Sequence, residues 1–181
     1  MSEDGARRAA EQDPAEGLPL GRCFRSQGRT IGEGDFSALV NLTWTTGELH
    51  VNRVLMTSEQ GTAILGRPGE RVLALQAVAA VGVGLGWSRN LGPVLRHGYG
   101  VTVVRSLSFE VEAGEPLFPG DTVWSDSTLT GTRPTEDAAR RVLDVEHRIT
   151  NQRSEVVATI VQHLLYARTT VVDSPGKWEL P

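Results

Sequence analysis

An α+β fold, a curved antiparallel β-sheet wrapped around one long buried central helix, is what this 181-residue sequence predicts. Two observations carry the prediction. Residues 72–86 are apolar on every side, and fifteen residues is too long for a buried strand but suits a helix covered all round. After that run, four segments alternate apolar and polar side chains with the period of two that belongs to strands. Strands that all follow one buried helix fold back on it as an antiparallel sheet. The length fits a single domain able to bury a core without staples.

Residues 1–20 are polar and punctuated by Pro14 and Pro19, and read as a flexible tail; the folded body is expected over 21–172. Thr30-Ile31-Gly32-Glu33 has the capping-box pattern, and Phe36, Leu39, Val40 and Thr43 follow at helical spacing, which predicts a helix over 31–43. A second short helix is expected over 51–60. In the central run, Gly82, Gly84 and Gly86 suit close packing against strands. They are no phosphate loop, because no Gly-Lys-Ser/Thr follows. Strands are expected over 99–112, 123–130, 140–150 and 156–168, the last with Val157, Thr159, Val161 and His163 on one face. Pro119-Gly120-Asp121-Thr122 reads as a turn supported by Asp121, and Asn151-Gln152-Arg153-Ser154 as a hairpin break. Asp173-Ser174-Pro175-Gly176 opens a short C-terminal tail over 173–181.

The balance of 18 basic and 22 acidic residues, net −4, argues against a general nucleic-acid or anionic-membrane binder. No apolar run reaches the ~18 residues of a membrane span, and the first residues lack the apolar core of a secretory signal. A single cysteine, Cys23, excludes a disulfide framework and a cysteine-based metal cluster. A cytoplasmic protein is expected, with neither metal nor cofactor.

The chemistry concentrates in Thr43-Trp44-Thr45-Thr46-Gly47-Glu48-Leu49-His50-Val51-Asn52. This loop groups one imidazole, one carboxylate, one amide and three threonine hydroxyls. His50 is the candidate acid/base, because an imidazole titrates near neutrality. The plain alternative is a loop histidine bonded to a backbone carbonyl. Glu48 forms a dyad with His50 only if the segment is extended, since positions two apart then point the same way. Thr45 and Thr46 position water or simply end the loop, and Asn52 borders the site or caps the following helix. His147 and His163 fall in strand patterns and read as packed or surface residues. His97, in a glycine-rich turn, could border a pocket.

Taken in order, these segments resemble the MaoC-like hydratases and dehydratases of the hotdog fold, over about 28–168. The carriers are Gly28-Arg29-Thr30-Ile31-Gly32-Glu33-Gly34-Asp35, the stretch from Leu42-Thr43 to Leu49-His50-Val51-Asn52, Phe118-Pro119-Gly120-Asp121-Thr122, and Glu146-His147-Arg148 with Asn151-Gln152-Arg153-Ser154-Glu155-Val156-Val157. Within the family the hairpin looks most like the mesaconyl-CoA hydratase and β-methylmalyl-CoA dehydratase type. The resemblance implies an acyl substrate on coenzyme A or an acyl carrier protein, and addition or removal of water across its α,β-bond. It also implies a dimer or higher homo-oligomer with sites at the interface. His50 matches the family histidine. Thr45 falls where the family has Asp or Asn, and Glu48 falls on its usual proline. The pair that opens the family's central helix falls on Ala74-Leu75, so a Leu75 N–H is expected to polarise the thioester carbonyl, with Gln76 and Asn52 bordering the substrate. Loss of the loop carboxylate leaves three readings open: a variant hydro-lyase using His50, a degenerate hotdog subunit that binds an acyl chain or completes a partner, and a thioesterase.

Overall fold

The computed structural model describes residues 15, 17–65, 67 and 69–168. The expected tails lie outside these residues except at 15 and 17–20, where Leu18 is buried against the core. Two short strands come first, β1 (Cys23–Arg25) and β2 (Arg29–Thr30). Four short helices follow: α1 (Glu33–Leu42), α2 (Glu48–Val51), α3 (Arg53–Thr57) and α4 (Glu59–Leu65). Next come the central helix α5 (Leu75–Gly86) and four long strands, β3 (Val101–Ala113), β4 (Thr122–Pro134), β5 (Arg140–Asn151) and β6 (Val156–Arg168).

The sheet order is β1-β4-β5-β6-β3, every pairing antiparallel, with β2 also on β4. Strands β4, β5 and β6 alternate in burial as their sequences require. On β6, however, the residues turned to the core are Ala158, Ile160, Gln162, Leu164 and Tyr166, so Val161 and His163 belong to the opposite face. His163 there bonds Asp144 at 2.6 Å. The β5–β6 hairpin closes as expected, with Ser154 at a φ of 62° and its N–H on the Asn151 carbonyl. Asp121 supports its turn by accepting from the Phe118 N–H at 3.0 Å.

The glycines of α5 decide how closely helix and sheet meet. A Cβ on Gly82 would lie 2.4 Å from Ile149 Cδ1, and one on Gly86 2.4 Å from Ser127 Oγ. Gly84 faces open space. The helix is therefore not covered all round: Gln76, Ala80 and Gly84, spaced by four, form an exposed stripe. The sheet wraps one side only, and the stripe carries one amide and two residues with little side chain.

Three further expectations are corrected. Thr30 does not cap α1; its hydroxyl pairs with Thr122 Oγ1 at 2.7 Å, and Glu33 pairs with Arg71. Asp35 instead reaches back to the Gly32 N–H, two positions later than the sequence pattern suggested. The helix expected over 51–60 is broken at Ser58, whose extended backbone separates α3 from α4. The central helix does not stop at Gly86 but continues in two wider π-type turns, Trp87–Leu91 and Val94–Gly98. Pro93 between them has no N–H to donate, which breaks the i−4 ladder at that point.

The core has two parts. One joins α1 and α5 to the sheet through Ile31, Phe36, Val40, Val78, Ile149 and Ile160. The other packs Leu91 and Leu95 of the π turns against Leu129, Leu143, Val145 and Tyr166. β3 is an edge strand whose residues are almost all exposed, among them Val103, Val104, Leu107 and Phe109. Among the described residues no helix is long and apolar enough to cross a membrane.

Candidate functional site

Helix α1 ends in a Schellman motif: the Trp44 N–H reaches the Asn41 carbonyl and the Thr45 N–H reaches that of Val40. The left-handed position, φ 53°, falls on Trp44, a residue that lacks the freedom of glycine and lies 86% exposed. This turn swings Thr45 back into the protein, where it is buried. Its hydroxyl has a defined polarity. Thr43 Oγ1 donates to the Leu39 carbonyl at 2.7 Å, so Thr45 donates its own proton to Thr43 Oγ1, also at 2.7 Å. Gln76 Nε2 in turn donates to Thr45 Oγ1 at 2.9 Å. Thr45 thus keeps one lone pair and no proton for a third group.

His50 sits at the end of α2, half-buried. Its Nδ1 lies 2.7 Å from the carbonyl oxygen of Val72. A carbonyl only accepts, so Nδ1 carries the proton and Nε2 the free lone pair. The same Val72 donates its N–H to the Leu49 carbonyl at 3.1 Å, and Leu73 donates to Leu117 at 2.8 Å. The dipeptide Val72-Leu73 therefore ties the histidine helix to the chain that leads into β4.

His50 lines a cavity of about 290 Å³ together with Val72, Leu73, Ala74, Leu75, Gln76, Val78, Ala113, Gly114, Glu115, Pro116, Leu117 and Val157. The lining is mostly apolar. The N-terminus of α5 opens onto it. Ala74 provides no side-chain cap, its carbonyl takes the N–H groups of Ala77 and Val78, and the Leu75 and Gln76 N–H groups have no acceptor among the described residues. Two free amides at a helix N-terminus favour an oxygen that carries negative charge.

The sequence candidates divide accordingly. His50, Leu75 and Gln76 line the cavity, and Thr45 adjoins it through Gln76. Thr46 and Glu48 are exposed and are not among the lining residues. Glu48 and His50 share one helical turn rather than an extended segment, and the histidine's bond goes to Val72 instead. Asn52 caps α3, its Oδ1 accepting from the Leu55 N–H at 3.0 Å. His97 borders a separate cavity of about 460 Å³ beside the π turns. Sequence reasoning missed Glu115, which carries no motif, and missed the carbonyl of Val72, for which a sequence contains no sign.

His147 is fully buried away from this cavity. Its Nδ1 is 2.8 Å from Ser127 Oγ, and its Nε2 is 3.3 Å from Gln162 Oε1, which also accepts from Trp87 Nε1 at 2.9 Å. Because Gln162 Oε1 is an acceptor, Nε2 carries the proton. Burial pushes this imidazole down to about 4, outweighing the hydrogen bond to Gln162, which acts the other way. The ring is a neutral part of the architecture.

No family model matches the chain, and no curated protein does. Solved structures do. The chain is similar to the monoamine oxidase regulatory protein from Archaeoglobus fulgidus, with 19% identity over 84% of this chain and 93% of that one, at a TM-score of 0.65. It is similar to the MaoC-like dehydratase from Rhodospirillum rubrum, with 19% identity over 86% and 97% and a TM-score of 0.64. It is also similar to the (R)-hydratase from A. caviae involved in PHA biosynthesis, with 20% identity over 86% and 100% and a TM-score of 0.59. At these identities the likeness shows the fold: the chain has the hotdog fold.

Proposed function

We propose that this chain acts on an acyl thioester of coenzyme A or an acyl carrier protein, adding water across the α,β-bond or removing it, with His50 as the acid/base. The observation that carries the reading is an imidazole fixed by a backbone carbonyl, with its basic nitrogen free, in an apolar cavity that also receives two unpaired amides of a helix N-terminus. A thioester oxygen seated on the Leu75 and Gln76 N–H groups would gain charge as Cα loses its proton in dehydration or as water adds to Cβ in hydration, and those amides stabilise that charge. The names of the fold neighbours, dehydratases and hydratases, support the same chemistry. Thr45, held by Gln76 and Thr43, accepts a hydrogen bond from water but takes no proton from it. The mesaconyl type is the finer reading. The side chains that suggested it hold the hairpin: Gln152 and Arg153 bond Asp121, and Asn151 bonds Glu155. A branched dicarboxylic acyl thioester therefore belongs in the substrate panel beside linear ones. In this reading the site is placed in the cytoplasm.

The test is turnover of enoyl- and 3-hydroxyacyl-thioesters by wild type and His50→Ala. Turnover by wild type that the substitution removes is the expected result; turnover that survives it removes His50 from the mechanism. A homodimer is part of the proposal, formed by pairing of two β3 edges, which would cover Val103, Leu107 and Phe109 and close an open strand. Sedimentation is expected to show a dimer for wild type and a smaller species for Phe109→Glu.

A second reading is favoured by the loop itself, which presents no carboxylate to the cavity and a Thr45 hydroxyl whose proton is already committed. A degenerate subunit that completes a partner would look this way. Two fold neighbours are two-protein complexes, HadBC and ChsH1-ChsH2 of Mycobacterium tuberculosis. Inactivity of the purified chain, relieved by a second homologous protein, would decide for it.

A further inference from the structure

We infer that Glu115 supplies the carboxylate that the His50 loop does not bring to the cavity, so that the acid/base pair is split between two elements. The inference rests on the acyl-thioester reading above and deepens it. Of the side chains lining the cavity, His50 and Glu115 are the titratable ones. Glu115 comes from the turn between β3 and β4, sixty-five positions from the histidine.

The backbone holds it in place from both sides. The Gly114 N–H donates to the Val157 carbonyl at 2.9 Å, and the Glu115 N–H to that of Val156 at 2.8 Å. A Cβ on Gly114 would lie 2.2 Å from the Val156 oxygen, so the chain passes here at a distance only glycine permits. Pro116 fixes the next φ, and Leu117, fully buried, takes the Leu73 N–H at 2.8 Å. Leu73 is the neighbour of Val72, whose carbonyl holds His50. Glu115 and His50 are thus referred to one another through a short run of bonded backbone, as an acid/base pair requires. The Glu115 carboxylate has no hydrogen bond or ion pair among the described residues, whereas Glu33, Glu70 and Glu155 each hold an arginine. It is exposed, and so able to exchange its proton with solvent.

In the dehydration direction, His50 Nε2 takes the proton from Cα and that electron pair becomes the Cα–Cβ double bond. The Cβ–O bond breaks, and the departing oxygen leaves as water with the proton of the Glu115 carboxyl. Transfer of one proton from the His50 imidazolium to the Glu115 carboxylate restores the start. In hydration the same atoms run backwards: the carboxylate takes a proton from water, the water oxygen bonds Cβ, and the imidazolium protonates Cα. One base and one acid suffice, and no other reactant is needed.

The experiment measures kcat and KM against pH for wild type, Glu115→Gln, Glu115→Asp and His50→Ala on a crotonyl, a 3-hydroxybutyryl and a branched dicarboxylic acyl thioester. The expected result is a kcat for Glu115→Gln lowered about 100-fold with KM within about threefold, one limb of the pH profile gone, and partial recovery in Glu115→Asp. Glutamine is isosteric and the side chain has no bond to lose, so the melting temperature stays near that of wild type. Three results would overturn the inference: Glu115→Gln within about threefold of wild type in kcat, a change in KM alone with the pH profile intact, or a wild type inactive on every thioester of the panel, the branched dicarboxylic one included. In the first two, loss of turnover in His50→Ala leaves the hydro-lyase reading standing. The third ends both.

Discussion

The molecule holds two imidazoles at opposite extremes of environment. His50 is half-buried, has one bond to a carbonyl and opens onto a cavity. His147 is sealed between α5 and the sheet, with Ser127 on one nitrogen and Gln162 on the other. Both lie within segments that suggested the same family, yet only one has a nitrogen left for chemistry. An imidazole is available for catalysis when its surroundings leave a lone pair unspent. It becomes architecture when they consume both sides.

The contrast breaks most visibly in activity. His50→Ala is expected to lower kcat on an acyl thioester by about 10²- to 10⁴-fold, while chemical unfolding shows a loss of no more than about 1 kcal/mol for its single hydrogen bond. A large loss of stability would place His50 with His147.

Acid should act in the opposite sense on the buried ring. Its folded value of about 4 lies below the ordinary 6.5, so the fold favours the neutral form. The stabilisation is fully present above 6.5 and is lost as pH falls toward 4. The difference between 6.5 and about 4 corresponds to about 3 kcal/mol. Denaturant titrations between those two pH values are expected to show that loss in wild type and its absence in His147→Gln, itself less stable at pH 7.

Gly86 guards the same ring from above. Gly86→Ala puts a Cβ 2.6 Å from His147 Nδ1 and should cost about 2 kcal/mol of overpacking. Gly84→Ala, facing open space on the same helix, should gain about 0.5 to 1 kcal/mol in propensity. Equal effects at the two positions would mean that the helix does not bind the sheet through its glycines.

A gain of similar size belongs to the loop. Trp44→Gly relieves a left-handed backbone at a side chain that buries little, and should raise stability by about 1 kcal/mol. Thermal melts check it, and unchanged turnover would show that the Schellman turn still delivers Thr45 to Gln76.

How far these features could be read beforehand follows from their range. Strands β4, β5 and β6 announce themselves through a period of two, because each buries a face against its neighbours, and α5 through a long apolar run. β3 alternates in sequence although almost all of it is exposed. His50 was legible from its loop. The strands β1 and β2 were not, since three and two residues carry no period and exist only because β4 offers them a partner. The cap moved from Thr30 to Gly32 because Thr122 claims the threonine hydroxyl across the sheet. The extension of α5 through Gly92 and Pro93 defied two residues that ordinarily end helices; packing of Leu91 and Leu95 into the core overrides them. Glu115 was invisible because its neighbourhood with His50 is made by tertiary bonds at Val72 and Leu73.

Val72 contributes to the site through its peptide group rather than its side chain. Its carbonyl sets which nitrogen of His50 is basic, and its amide holds Leu49. Exchange of Val72 for another residue of similar size should leave the tautomer untouched, so the position would look tolerant in a mutational scan. Proline alone would stand out, because it abolishes the N–H that Leu49 needs. The polarity of the His50 imidazole is thus inherited from chain geometry and would survive wide drift in the letters that encode it.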